Sequence, residues 1–212
     1  MIRLYTHKSP EVKYLLASDS KMKKLIKKIG PCKLSITEDP FTKLVKSIIG
    51  QQLSVKATRT ITGRVNNLCG EITPHNILKV QDNSFRVAGV SSAKTSYIKG
   101  LAKKVLQNEI DFDLLHNQTN GEIIDSLTSI KGIGKWTAEM FLIFSLGRLD
   151  VFSPDDAGLK RAIRWLYCYE STPSCLETEK TSEPWKPYRS LASLYLWAAI
   201  DTNLIYENSS NL

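Results

Sequence analysis

Cysteine, histidine and long apolar runs are all scarce in this chain of 212 residues, which holds four cysteines and three histidines. Cys32, Cys69, Cys168 and Cys175 form no C-x-x-C pair, so their spacing marks neither a zinc site nor a redox dithiol. His7, His75 and His116 lie far in sequence from the glycine-rich stretch described below, which leaves that stretch without a histidine acid or base. No apolar run approaches the roughly 18 to 20 residues that cross a bilayer. The N-terminus, MIRLYTHKSPEVKY, lacks the apolar core of a secretion signal, and the expectation is an intracellular protein. No convincing β pattern occurs anywhere, so the expected class is all-α.

Positive charge, by contrast, is plentiful. Twenty-nine Lys and Arg against 21 Asp and Glu give a formal net charge of +8, which favours a polyanionic partner, nucleic acid or an acidic membrane surface. With 42% hydrophobic residues the chain can bury a core as one compact unit or two small lobes. The lysines at 21, 23, 24, 27 and 28 read as the solvated face of an amphipathic helix that Asp19-Ser20 opens and Gly30-Pro31 ends.

Helical periodicity is clearest at Phe41, Leu44, Val45, Ile48 and Ile49, after the capping residue Asp39 and the helix-starting Pro40. Gly50-Gln51-Gln52-Leu53-Ser54 interrupts that face, and Ser54 caps a second helix through Val55, Ala57, Ile61 and Val65. A third stripe, Ile98, Leu101, Ala102, Val105 and Leu106, follows Ser92-Ala93-Lys94. Residues 169 to 183 read as a polar loop with one short helical turn. Trp185-Lys186-Pro187-Tyr188-Arg189-Ser190 then opens a last helix that buries Leu191, Ala192, Tyr195, Leu196, Ala199 and Ile200.

The chemistry concentrates in residues 127 to 161, LTSIKGIGKWTAEMFLIFSLGRLDVFSPDDAGLKR. Ile130-Lys131-Gly132-Ile133-Gly134-Lys135 forms a G-x-G turn between two apolar helical segments. Such a turn offers the free amides of the second helix's first turn to an anion, and Gly132, Gly134, Lys131 and Lys135 suit a phosphate. It is not a nucleotide-binding P-loop, which requires a glycine where Ser129 stands and a hydroxyl where Trp136 stands. Twenty residues beyond Trp136, Pro154-Asp155-Asp156 opens another helix. One reading of this pair is an acidic N-cap; the other is a carboxylate placed for catalysis. Trp136 is likewise either core or a stacking face.

Gly132-Ile133-Gly134-Lys135-Trp136-Thr137-Ala138, the step from Trp136 to Asp156, and Val151-Phe152-x-Pro154-Asp155-Asp156 together resemble the helix-hairpin-helix base-excision DNA glycosylases. Within that superfamily the chain is most similar to the AlkA-type 3-methyladenine DNA glycosylases, in a compact form without the N-terminal β domain. The resemblance implies an all-α chain of two helical lobes with the active-site cleft between them: lobe 1 about 35–125, and lobe 2 about 1–34 plus 126–212. It implies that the turn of Gln51, Gln52, Leu53 and Ser54 enters the minor groove with Gln52 as wedge, and that Lys131, Gly132, Gly134 and Lys135 grip the strand. Ser91-Ser92-Ala93-Lys94 resembles a turn that touches the DNA backbone. Trp136, Trp185 and Tyr188 are implied to line a base pocket, the last two having packing of the final helix as an equal alternative. The carbonyls of Thr128, Ile130 and Ile133 are implied to hold Na+ or K+. The six residues between Cys168 and Cys175 resemble the first step of a cluster-binding loop, but two further thiols are missing downstream, and no iron–sulfur cluster is expected.

An enzyme that acts on a base inside a duplex must extrude it, fill the gap and receive the base between flat or apolar surfaces. Breaking the N-glycosidic bond then builds positive charge on the sugar, which a carboxylate in a dry pocket stabilises; Asp156 is the residue chosen for that role. An alkylated, cationic base leaves readily and is attracted to the face of an electron-rich ring such as Trp136. Bifunctional members of the superfamily carry a nucleophilic lysine two residues after the second glycine, where this chain has Trp136. Lys135 comes one position early, roughly 100° away around the helix. The expectation is therefore a monofunctional glycosylase without strand cleavage, a monomer acting on double-stranded DNA that carries alkylated purines, with no membrane partner. The alternative is a noncatalytic helix-hairpin-helix DNA-binding module.

Overall fold

The computed structural model describes residues 1–207. They divide into two compact units, one made of Met1–Ile36 with the chain from Leu142 onward, the other of Thr37–Phe141. The class is all-α, with one small addition. Strand β1 (Ile2–Tyr5) pairs antiparallel with β2 (Cys32–Ser35), Ile2 opposite Ser35 and Tyr5 opposite Cys32. The pair is easily missed because each strand has only four residues: in β2 buried Cys32 and Leu34 alternate with exposed Lys33 and Ser35, but in β1 the apolar Ile2 and Leu4 are exposed. One four-residue alternation beside a strand whose apolar side chains face outward is a weak signal of a sheet.

Helices α1 (Pro10–Ser18) and α2 (Ser20–Ile29) lie between the strands. Asp19 Oδ1 accepts the amides of Lys21 and Met22 at 2.8 and 2.9 Å and so starts α2 as an N-cap. Met22, Leu25 and Ile26 are buried, whereas Lys23, Lys24, Lys27 and Lys28 are solvated. Lys21 instead lies 5.2 Å over the ring of Tyr167.

The second unit starts with α3 (Pro40–Gly50), capped by Asp39 Oδ1 on the Thr42 amide at 2.9 Å, with Phe41, Leu44, Val45, Ile48 and Ile49 inward. Ser54 Oγ, 3.2 Å from the Ala57 amide, caps α4 (Val55–Cys69). Helices α5 (Pro74–Lys79), α6 (Asp82–Ala88) and α7 (Ser92–Leu106) follow. A capping box between Thr119 and Glu122 opens α8 (Asn120–Thr128), and residues 129–134 turn the chain into α9 (Lys135–Phe144). The sequence reading ends the first lobe near residue 125, whereas the packing carries this unit through Phe141. The hairpin therefore belongs with the middle helices, because its turn is packed on α7 and bonded to the α3–α4 turn, as described below.

The first unit resumes along α9 and contains α10 (Ala157–Tyr167), α11 (Cys175–Ser182) and α12 (Arg189–Asp201). Residues 175–182 are a full helix, not the polar loop expected, since Ser174 and Glu177 form a second capping box. On α12, Leu191, Ala192, Leu194, Tyr195, Leu196 and Ala199 are buried. Its first turn holds the segment that leads to the aspartates. Arg189 bonds both oxygens of Asp150 at 2.6 and 3.0 Å, and Ser190 Oγ accepts the Val151 amide at 2.9 Å.

Candidate active site and nucleic-acid interface

The residues singled out from the sequence fall into two sets, one in each unit. In the unit of residues 37–141, the hairpin turn is built on buried anchors: Ile130 and Ile133 are 2% and 4% exposed, and the Ile133 amide closes on the Ile130 carbonyl at 3.0 Å. Gly132 has φ +94°, and a Cβ there would fall 2.2 Å from Tyr97 Cδ2, so both backbone and packing require glycine. Gly134 differs. A Cβ there meets nothing within 4 Å, so no neighbour in this structure demands a glycine at that position. Lys131, Gly134 and Lys135 are exposed, and Lys135 Nζ lies 3.9 Å from Glu139 Oε1. Trp136 is 49% exposed, which removes the core reading of that ring.

The α3–α4 turn lies in the same unit. Gln52 sits exposed in the left-handed region at φ +58°, a conformation uncommon for a residue with a Cβ. Leu53 and Val55 are exposed apolar side chains at 41% and 87%. With Lys46, Gly50, Thr58 and Arg59 they line a groove of about 510 Å³ at the foot of the turn. Gln51 behaves unlike its neighbours. Its Nε2 donates to the Gly132 carbonyl at 2.7 Å, so the side chain expected on DNA is used to join the two turns. Lys94, expected at a DNA-backbone turn, is also turned inward. Its ammonium donates to the carbonyls of Ile49 and Gln51 at 2.8 and 2.7 Å, and burial pulls its pKa below the usual lysine value.

The other unit holds the aspartates. Asp156 is 8% exposed and is the N-cap of α10: Oδ1 accepts the Leu159 amide at 2.7 Å and Trp197 Nε1 at 3.3 Å. The Trp197 ring packs on Phe144 with centroids 5.8 Å apart. Gly158 leaves room for this arrangement, since a Cβ there would come within 3.0 Å of Asp156 Oδ1 and 3.3 Å of Ile200 Cδ1. Asp155 takes a different surrounding. Lys160 Nζ at 3.2 Å and Cys175 Sγ at 2.7 Å both reach its Oδ1 on the surface. The two carboxylates are therefore not equivalent, and the enclosed, oriented one is Asp156.

Trp185 does not stand at a surface where a base could meet it. It is fully buried, its Nε1 donates to Asp19 Oδ2 at 3.2 Å, and its ring meets Phe152 edge-on with centroids 5.9 Å apart. Asp19 Oδ2 also accepts the Tyr167 hydroxyl at 2.5 Å, so Trp185 completes a satisfied core network rather than a base pocket. Tyr188 is half-buried and edge-on to Tyr14, with centroids 5.4 Å apart.

Residues 45–187 match the family described as HhH-GPD superfamily base excision DNA repair protein. The chain belongs to the HhH-GPD superfamily. It is 34% identical over 192 residues to the alkylbase DNA glycosidase-like protein mag2 of Schizosaccharomyces pombe, covering 87% of this chain and 90% of that one. The crystal structure of a DNA-3-methyladenine glycosidase from Bacillus halodurans is similar with a TM-score of 0.91 and 41% identity, covering 98% of this chain and 96% of the other. The S. pombe 3-methyladenine DNA glycosylase Mag1 in complex with abasic DNA gives a TM-score of 0.82 and 30% identity, over 91% and 97%.

One contributor to this HhH-GPD chain's site escapes the sequence, and a second, Lys94, is singled out there for a different role. Trp197 lies 41 residues beyond Asp156 within an apolar stripe, where it looks like any core aromatic. Lys94 lies 43 residues beyond Gln51 among many lysines. For Trp197 the one signal is compositional: a tryptophan with a polar N–H amid leucines and alanines needs an acceptor.

Proposed function

We propose that this protein is a monofunctional DNA glycosylase that hydrolyses the N-glycosidic bond of alkylated purines, with Asp156 as its catalytic carboxylate. That it is a base-excision glycosylase for alkylated bases rests on the family and on relatives matched over nearly their whole length. The observation that carries the role of Asp156 is its geometry. One oxygen is fixed by a helix amide and an indole N–H in a site almost closed to water. A carboxylate so oriented is ready to meet positive charge that develops on deoxyribose, without reorganisation at the moment of reaction. The departing alkylated base is already cationic and needs little acid assistance, and water captures the sugar at C1′. Trp136, half-exposed beside the hairpin turn, is the face offered to the cationic base.

The strand grip is assigned to the hairpin. Gly134 and the Lys135 amide open α9, and Lys131 and Lys135 add charge to that end. Thr128, Ile130 and Ile133 would hold Na+ or K+ through main-chain oxygens. In support, buried Ile130 and Ile133 anchor the backbone of the turn, and backbone carbonyls are ligands that monovalent cations take. Such an ion would neutralise part of the charge of a bound phosphate. The substrate is double-stranded DNA bound by a single copy of the chain, which sets its place of action in the nucleus or nucleoid.

The reading of no strand cleavage is supported by the hairpin: Trp136 occupies the position of the Schiff-base lysine, and Lys135 comes one position early. The decisive experiment incubates the protein with methylated duplex DNA, follows free base, and treats a parallel sample with borohydride. Base release with an intact, uncrosslinked strand is expected. A trapped covalent adduct would refute the monofunctional reading, and DNA binding without any base release would leave only a DNA-binding module.

A further inference from the structure

The two DNA-reading turns of the 37–141 unit share one foundation. Helix α3 ends with its last carbonyls lacking helical donors, and it carries no basic residue in its own last turn. The missing cation arrives from α7. Lys94 Nζ donates at 2.8 Å to Ile49 O and at 2.7 Å to Gln51 O, bracketing the point where the chain leaves α3. Gln51 in turn donates its side-chain amide to Gly132 O at 2.7 Å. Three residues after Lys94, on the same side of α7, Tyr97 bears directly on Gly132, its ring occupying the space where a Cβ would be. Thus α7 touches the α3–α4 turn through an ammonium and the hairpin turn through a ring, and Gln51 closes the circuit between the turns. The residue that follows Gln51 is the exposed, left-handed Gln52, whose backbone conformation is held by its neighbours and not by its own preference.

We propose that Lys94, Gln51 and Tyr97 are positioning residues that register the Gln52 turn against the hairpin, so that plugging the duplex and gripping its backbone occur as one event. This rests on the glycosylase reading, in which Gln52 fills the gap of an extruded base, and it adds what keeps that plug at its post. Lys94 acts as an internal cation, so its charge is withdrawn from the phosphate-facing surface. Partial burial lowers its pKa, in keeping with an ammonium held on two carbonyls. Removing it leaves two carbonyls at a helix end without their shared donor and loosens the tip that carries Gln52, while Asp156 is untouched.

Lys94→Met keeps the length of the side chain and removes the donor; Gln51→Met removes the bridge to Gly132. The direct readout is 2-aminopurine fluorescence, with the probe opposite a stable abasic-site analogue, because it reports insertion of the plug without requiring chemistry. Both variants are expected to show an insertion amplitude lowered about threefold or more while staying folded at the assay temperature, with some loss of thermal stability from the carbonyls left without a donor. On methylated DNA, base release is expected to fall about tenfold when the lesion is fully paired and to recover when it sits in a bulge, where extrusion costs little. Lys94→Arg, which retains donors, is expected to restore most of the amplitude. Unchanged fluorescence in both Met variants, or an equal loss on paired and bulged lesions, would overturn the proposal. If the natural protein inserted its plug yet released no base, the glycosylase reading would fail while the registration by α7 stood.

Discussion

Sequence alone leaves Asp156 as either a helix cap or a catalytic carboxylate; the cap is observed, and the catalytic role is the one proposed above. As an N-cap it accepts the Leu159 amide, and as an enclosed carboxylate it shares that same oxygen with Trp197. Asparagine caps a helix as well as aspartate does, so Asp156→Asn is expected to change stability by less than about 1 kcal/mol by thermal denaturation. Under the proposed role the same change is expected to lower base release by about 100-fold or more, since it would remove the charge offered to the sugar cation. Trp197→Phe keeps the ring and deletes the N–H, and a loss of about tenfold in base release with unaltered DNA affinity is expected. Trp185 shows the opposite case. Its motif resembles a pocket wall, but its indole is spoken for by Asp19. Trp185→Ala is therefore expected to destabilise the fold by about 3–5 kcal/mol, measured by denaturant unfolding.

The hairpin carries a contrast between two glycines that the G-x-G pattern treats alike. Gly132 needs its positive φ and has Tyr97 where a Cβ would go; Gly134 has neither constraint. Gly132→Ala is expected to cost about 1–3 kcal/mol of stability. Gly134→Ala is expected to leave the melting curve in place while weakening duplex binding in a titration, because the added methyl would stand where a phosphate approaches. Helices with strong periods and caps are legible from residue order: Asp39-Pro40, Ser54 and Asp19 each start the helix their chemistry suggests. The β1–β2 pair is not, because the alternation of β2 spans only four residues and the apolar Ile2 and Leu4 of β1 face solvent.

Over the whole molecule, the number of cations that face phosphate, and not the formal charge of +8, sets how DNA binding responds to salt. Replacing Lys131 and Lys135 by alanine is expected to reduce the slope of log affinity against log salt by about 0.9 for each phosphate no longer neutralised. Lys94→Met is expected to leave that slope unchanged, because its ammonium faces Ile49 and Gln51 carbonyls instead of solvent. Net charge alone could not separate these lysines. The amino-acid order determined the helical class, the glycine turn, the basic surface and the choice of Asp156, since each depends on residues near one another along the chain. Folding in three dimensions decided that Gln51 and Lys94 face inward, that Trp185 is core, and that Trp197 steadies the aspartate. Each of those four depends on a partner at least 41 residues away, and hydrogen bonds across such distances leave no periodic trace in the sequence.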